Sequence, residues 1–389
     1  MIPKFQKHII ATIENDIPPG AMNTFMASGD LNNNGRIDLI VSGRNGRMVW
    51  LENQGNLQFV EHIIDAEVHQ VECGGSVYDI SGNGFLDVLV GSGDSIKAWW
   101  WENPGVPDQP WQKHILYNQQ REGHVHDTLI GDVMNTGTPM LVTTNQVRPA
   151  ENQTEVYLLD FPEHPERPWP FSVIGTGFSE GLVDAGNSLA RMQPEEGLAI
   201  GDLTGDSRNE IVMGNHWFQQ VDGKWEAHRF STGYVTAKIA LADLDCDGRL
   251  EIILSEGDPV IYGKQQGGRL GWFKPGEDIF ALWEEHILDD GLLDAHTLLT
   301  ADLTGNGHLD ILCGEIGWSD AERNYQRREP WILLYENLGD GTFARHILDQ
   351  GTGIHDGQLV DLTGNGKLDI VSKPLHGEHI WDIVVFAQE

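Results

Sequence analysis

Ala301-Asp302-Leu303-Thr304-Gly305-Asn306-Gly307-His308-Leu309-Asp310-Ile311-Leu312 reads as a short apolar strand, an acidic turn containing glycine, and a second apolar strand. Asp stands at the first turn position, Thr and Asn at the third and fifth, Gly at the sixth and Asp at the ninth. Small polar side chains that bond to nearby backbone, with a Gly free to take positive φ, let two strands reverse here. The pattern recurs. Its first aspartate returns at Asp30, Asp79, Asp132, Asp202, Asp243, Asp302 and Asp361, at spacings of 49, 53, 70, 41, 59 and 59 residues. Units of about 40 to 50 residues suit one four-stranded propeller blade each, and the excess falls in loops.

Three further features complete each unit. An aromatic strand follows, as in Arg47 to Leu51, Ala98 to Trp101, Leu270 to Phe273 and Trp331 to Tyr335. It often ends in Glu-Asn, at Glu52-Asn53, Glu102-Asn103 and Glu336-Asn337. A fourth strand carries His-Ile, at His62-Ile63, His114-Ile115, His286-Ile287 and His346-Ile347. Runs of β-branched and aliphatic residues bounded by Gly and Asp are strand signals, and no window shows a helical period. The N-terminal Phe5-Gln6-Lys7-His8-Ile9-Ile10 matches a fourth strand, whereas the chain stops after His379 to Val385, which matches a third. The expectation is an all-β protein: one seven-bladed β-propeller over residues 1–389. Its last blade is built from about 1–12 plus 353–389, which leaves no long sheet edge open.

The Asp-Leu-Thr-Gly-Asn-Gly-x-Leu-Asp-Ile copies resemble FG-GAP/VCBS repeats. The Trp-x-Glu-Asn-x-Gly and Trp-x-x-His-Ile signatures resemble propellers of sugar-active proteins: the rhamnose-glucuronate lyases, the propeller rhamnosidases and the propeller part of aldos-2-ulose dehydratase. The resemblance spans essentially the whole chain, and it bears on fold more than on activity.

Composition limits the partners. With 25 basic against 59 acidic residues the formal charge is −34. Such a surface repels phosphate backbones and anionic membranes, so nucleic acid and membrane are not expected partners. The chain begins without an apolar signal region and has no run of eighteen apolar residues. Three cysteines, Cys73, Cys246 and Cys313, form no disulfide pattern. The reading is of a soluble, cytoplasmic protein whose oligomeric state is open. Walker, His-Glu-x-x-His, Gly-x-Ser-x-Gly and Rossmann strings are absent, and no organic cofactor is expected.

In a four-stranded meander the acidic turns share one face of the disc, and the starts of the first strands meet at the axis on the other. The residue six before each turn aspartate falls there: Thr24, Cys73, His126, Glu196, Ala237, His296 and His355. The three histidines form a candidate divalent-metal site (calcium, magnesium, manganese or zinc) or proton-transfer site. The plainer reading is three separate imidazoles bonded to strand backbone. Second-strand ends and loops add Arg44, Asn145, Arg148, Asn215, His216, Glu315, Lys373 and His376 to this face, with Trp318 and Tyr325 from an insertion. Aromatic, cationic and imidazole groups over a funnel suit a small saccharide or glycoside. The turns Asp30-x-Asn32-x-Asn34 and Asp243-x-Asp245-x-Asp247 place oxygens at alternate positions, as calcium loops do. Other copies do not, and side chains satisfying the turn backbone explain the motif without an ion.

The family resemblance implies a lyase or dehydratase acting by β-elimination. His126, His296 and His355 would then hold the ion or polarise the sugar. His216, His376 or Tyr325 would move the proton, and Arg148 and Lys373 would orient the substrate, with Arg44, Asn145, Asn215, Trp318 and Glu315 also lining the pocket. Glycoside hydrolysis is the close alternative, and a non-catalytic glycan- or protein-binding propeller the other.

Overall fold

The computed structural model describes residues 2–14, 22–147, 153–176, 196–257, 259, 264, 267–316, 328–375 and 379–389. Among them every regular element is a strand, β1 to β26 in chain order. The sheets are antiparallel. Four have four strands each: β12–β15 (from Ala199–Gly201 to Lys224–Arg229), β16–β19 (Ala237–Ala242 to Glu284–Leu292), β20–β23 (Ala295–Ala301 to Phe343–Gln350), and β24–β26 (Gln358–Val360 to Asp382–Gln388) joined by β1 (Phe5–Thr12). In the last, β1 pairs with β26 in the register His8 to Val385, so the two ends of the chain share one sheet.

Two sheets depart from the four-strand count for one reason. β3 (Asp38–Gly55) pairs with β2 (Met22–Gly29) through its first part and with β4 (Gln58–Gln70) through the rest. β8 (Gln112–Gly131) pairs with β7 (Ser95–Glu102) as far as Glu122 and with β9 (Met140–Val147) from Gly123 on. Between His114 and His126 the backbone stays extended and changes partner. Gly123 permits this: its φ is +155°, and a Cβ there would stand 2.3 Å from the Gln146 carbonyl oxygen.

Successive innermost strands touch: β2 with β5 (Ser76–Tyr78), β5 with β8, β12 with β16, β16 with β20, β20 with β24, and β24 with β2. Between β8 and β12, Asp127 accepts a bond from the Gly197 N–H at 2.9 Å. The apolar residues form clusters between neighbouring sheets. Phe25, Ile40 and Trp50 pack on Val88, Val90 and Trp101. Met26, Leu39 and Val49 pack on Val371, Ile383 and Val385, joining the first sheet to the last. Trp100, Trp101 and Trp217 are almost fully buried, and aromatic rings of this size carry much of the burial energy.

The Glu-Asn motif is a staple between neighbouring sheets. Asn103 Nδ2 donates to the Leu86 carbonyl in its own sheet and to the Leu31 carbonyl in the preceding one. Asn53 does the same with Ile37 and Leu362, and Asn337 with Leu309 and Leu244. The outer histidines serve the fold as well. His62, His114 and His346 bond to Glu52, Glu102 and Glu336, and the rings of His114 and His286 stack on Trp100 and Trp272.

The acidic turns satisfy their own backbone. Asp30 accepts from the N–H groups of Asn34 and Gly35, and Asp243 from those of Asp247 and Gly248. The ninth-position acid turns inward: Asp38 accepts from Leu31 and Asn53, and Asp310 from Thr304 and Asn337. No helix of the described residues is long and apolar enough to cross a membrane.

Candidate metal and catalytic centre

The inner strands bring Cys73, His126, Glu196, His296 and His355 together at the axis. The rings of His126 and His296 lie 6.0 Å apart between centroids, and His296 stacks on His355 at 4.2 Å. The sequence placed these groups at an open mouth. They are instead buried, each with 3–6 % of its surface exposed. Inner strands pack too closely for their side chains to fan out into solvent.

Glu196, and not His355, completes the close group. Ligand atoms of His126, Glu196 and His296 lie within 4.8 Å of one another. Glu196 Oε1 is 3.5 Å from His126 Nε2, and Oε2 is 3.4 Å from His296 Nε2. Both imidazoles are oriented from behind. His126 Nδ1 donates to Asp127 Oδ2 at 2.6 Å, and His296 Nδ1 donates to the main-chain carbonyl of His355 at 3.0 Å. Carboxylate and carbonyl only accept, so the Nδ1 atoms carry hydrogen and the Nε2 atoms turn toward Glu196.

The centre also collects charge. Lys238 Nζ lies 3.5 Å from Glu196 Oε2. Burial opposes the charge on Lys238, but Asp127, Cys73, Glu196 and Asp356 outweigh it and hold its pKa up. Burial likewise opposes ionisation of Glu196, yet His126 and Lys238 keep its carboxyl below the usual range. His126 is held above an ordinary histidine, because Cys73, Glu196 and Asp127 overcome its burial. His355 goes the other way. Burial, then His296 and Lys373, keep it neutral. Two buried atoms of this centre have no hydrogen-bond partner: Glu196 Oε2 and His355 Nδ1. Leaving such atoms unbonded is costly, and Glu196 Oε2 has only the longer contacts to Lys238 Nζ and His296 Nε2, at 3.5 and 3.4 Å.

A cavity of about 140 Å³ opens on this group, polar at Cys73, Lys238, His296 and His355 and apolar at Ile239 and Leu298. Sites for whole ligands run to about 300 Å³ or more. This one has room for a small polar group and not for a whole sugar ring.

The other expected site residues are placed differently. Lys373 is fully buried, donates to the Asn23 carbonyl, and is brought by burial down to about 8. Arg44 is set beside the centre through Glu72, whose Oε2 it shares with His124. Asn145, Asn215 and Glu315, expected in the pocket, are bound into the fold. Asn145 bonds with Tyr117, Thr143 and the Glu155 carbonyl. Asn215 bonds with Ser231 and the Tyr234 carbonyl. Glu315 pairs with Arg328 and accepts from the Leu293 and Trp331 N–H groups. His216 pairs across strands with Arg229 and does not line the cavity. Arg148, Trp318, Tyr325 and His376 lie outside the described residues. Cys73 and Glu196 were visible in the sequence only through their register, six before a turn aspartate.

Of the turns expected to hold calcium, that of Asp30, Asn32 and Asn34 uses its oxygens to accept from the turn's own backbone N–H groups. In the fifth, Asp243, Asp245 and Glu251 oxygens lie within 4.8 Å of one another, and Lys274 already pairs with Asp245 and Asp247.

Comparison with known proteins agrees with this architecture. Residues 30–90 and 302–372 match the FG-GAP-like repeat, so the chain carries repeats of that kind. The rhamnogalacturonan lyase YesW superposes with a TM-score of 0.50 at 15% identity, over 98% of this chain and 75% of that one. BBS1N, from its complex with ARL6DN, gives 0.58 at 9% identity, over 99% and 96%. YCF48 from Cyanidioschyzon merolae gives 0.50 at 12%, over 97% and 98%. At such identities the likeness is one of fold, that of propeller-like all-β proteins. No curated protein sequence matches the chain.

Proposed function

We propose that the seven repeat units form one seven-bladed propeller and that its axial centre is the active site of a carbohydrate lyase working by β-elimination. The observation that carries this reading is the convergence of His126, Glu196 and His296 next to one small cavity lined by His296, Lys238 and His355. The donor set fits a divalent ion held by His126, Glu196 and His296, because their ligand atoms lie within 4.8 Å of one another and an outer partner orients each imidazole. When bound, such an ion supplies positive charge to a carboxylate or carbonyl oxygen of the sugar.

The chain's own groups do the rest. Lys238 lines the cavity as a fixed cation and orients the acidic end of the sugar. His355, neutral and with Nδ1 open, takes the proton from the carbon next to the carboxylate or carbonyl. The C–H electron pair becomes the new double bond as the β C–O bond breaks. The leaving oxygen takes a proton, for which Tyr325 and His376 are the candidate donors. A small uronide or oxidised glycoside fits better than a long polyanion, which a chain of charge −34 repels. The experiment is a screen of uronides and 3-keto glycosides for the ultraviolet absorbance of an unsaturated product. New reducing ends without that absorbance would move the reading to glycoside hydrolysis. Neither signal, with glycan binding intact, would move it to a binding propeller.

A further inference from the structure

We propose that the acidic turn of the fifth unit is a cation site that the chain fills itself, with the Lys274 ammonium. The turn then stands without calcium and opens to it only when the lysine is withdrawn. The inference is independent of the axial centre. Oxygens of Asp243, Asp245 and Glu251 lie within 4.8 Å of one another. Lys274 Nζ bonds to Asp245 Oδ2, and to Asp247 Oδ2 at 2.9 Å. These bonds hold the lysine's pKa above its ordinary value.

Comparison between units shows what was exchanged. Where other units carry Glu-Asn after the aromatic strand, the fifth carries Lys274-Pro275. Elsewhere the Asn N–H bonds to the ninth-position acid, as Asn53 does to Asp38, Asn103 to Asp87 and Asn337 to Asp310. Pro275 has no N–H to give. Glu251, wholly buried, takes the Leu244 N–H on Oε2, and its Oε1 has no hydrogen-bond partner. The outer histidine loses a partner too. His62, His114 and His346 bond to the Glu of that motif, whereas His286 Nε2 is left with Glu284 at 3.6 Å. In the first unit Glu52 accepts from the Asn32 amide; in the fifth the pair is reversed, and Lys274 donates to Asp245.

The oxygens outnumber what one ammonium can serve. Lys274 has three N–H donors, and two are spent on Asp245 and Asp247. Asp245 Oδ1 and Glu251 Oε1 stay buried and unbonded. Calcium takes about six to eight oxygens at once, so carboxylates set for such an ion leave some unsatisfied when a lysine stands in its place. The lysine has the advantage of being tethered. It reaches the turn from the end of β18 (Gly268–Lys274), and no free ion has to be captured from solution.

The test uses the full chain, stripped with a chelator and titrated calorimetrically with calcium chloride. Lys274→Gln should take up one calcium more than the unaltered protein, with a Kd of roughly 0.1–1 mM, the range of weak calcium modules. Calcium at about 10 mM should then raise its melting temperature by about 2–3 °C more than that of the unaltered protein. Adding Asp243→Asn to Lys274→Gln should abolish both gains. Asp245→Asn in the otherwise unaltered protein should leave its calcium uptake as it was, because the lysine and not an ion fills the turn. Equal uptake by Lys274→Gln and the unaltered protein overturns the proposal. So does loss of a bound calcium on Asp245→Asn, a result that decides even where Lys274→Gln does not fold.

Discussion

His296 Nδ1 donates to the main-chain carbonyl of His355 while the two rings stack 4.2 Å apart, so neighbouring inner strands share one imidazole pair with two different duties. His296 is oriented by backbone, and its Nε2 faces Glu196. His355 lines the cavity, and its buried Nδ1 has no hydrogen-bond partner. Because the bond to His296 comes from the main chain, His355→Ala leaves it in place. His355→Ala should retain the bound metal and lose turnover by roughly 100-fold or more, the usual contribution of a general base. His296→Ala should lose the metal itself. Metal analysis of both variants beside their rates checks the division, and equal metal loss in the two would refute it.

A second prediction concerns pH and the turns. Burial raises Asp38 and Asp87 to about 6 and Glu210 to about 7, against the backbone N–H groups that bond to them. An acid whose folded pKa lies above its unfolded value holds more protons in the native state. Its stabilising effect is full below the unfolded value and fades as pH rises through the folded one. The contribution of these acids to thermal stability should therefore fall between about pH 4 and pH 7. Glu210→Gln keeps an oxygen for the Leu203 and Thr204 N–H groups and should flatten that slope. A melting-temperature series of both proteins shows it, and parallel curves would remove Glu210 as a cause.

The repeat made the sheets legible because each acidic turn and each His-Ile strand sits where strand pairing requires it. The axial register followed from the same count and brought His126, His296 and His355 to one place. Residue type was the weaker guide. Imidazoles drew attention, while Glu196 and Cys73 at the same register carried no visible signal of their own. Asn145, Asn215 and Glu315 looked like pocket residues because a polar side chain at a strand end can face a ligand or a neighbouring backbone. The sequence does not distinguish these, and the structure shows the second. Glu315, fully buried, bonds to two main-chain N–H groups and Arg328. The sheet-to-sheet bonds of the Glu-Asn motif were hidden for a related reason: their acceptors lie in the preceding unit.

That motif gives a stability prediction. Asn103→Ala removes a buried side chain that satisfies the Leu31 and Leu86 carbonyls and accepts from the Gly105 N–H. Each buried group left without a partner costs about 1–3 kcal/mol. Asn103→Ala should cost about 3 kcal/mol overall by that measure, and Asn337→Ala about the same, since it serves Leu244, Leu309 and Gly339 alike. Urea unfolding measures this. Exposed Asn56→Ala is no fair control because its φ is +52°. Glu226→Gln, at an exposed strand position, serves as the surface reference. A loss below about 0.5 kcal/mol, typical of surface changes, would mean that the staple is ornamental.

The clasp between the chain ends is the last test. β1 pairs with β26 from Phe5–Gln388 to Thr12–Asp382, and Ile13 beyond it is wholly buried in the cluster that joins the first sheet to the last. Without β1, the strand of Val384, Val385 and Phe386 becomes an exposed apolar edge. An open edge of that kind pairs with other chains. Removing residues 1–12 should lower the melting temperature and produce self-association, visible by size-exclusion chromatography, although no residue of the axial centre is touched. A peptide of residues 1–12 supplied separately should restore part of the lost stability, because it binds only the folded form. Unchanged melting after the deletion would show that the sheet of β24, β25 and β26 stands without its fourth strand.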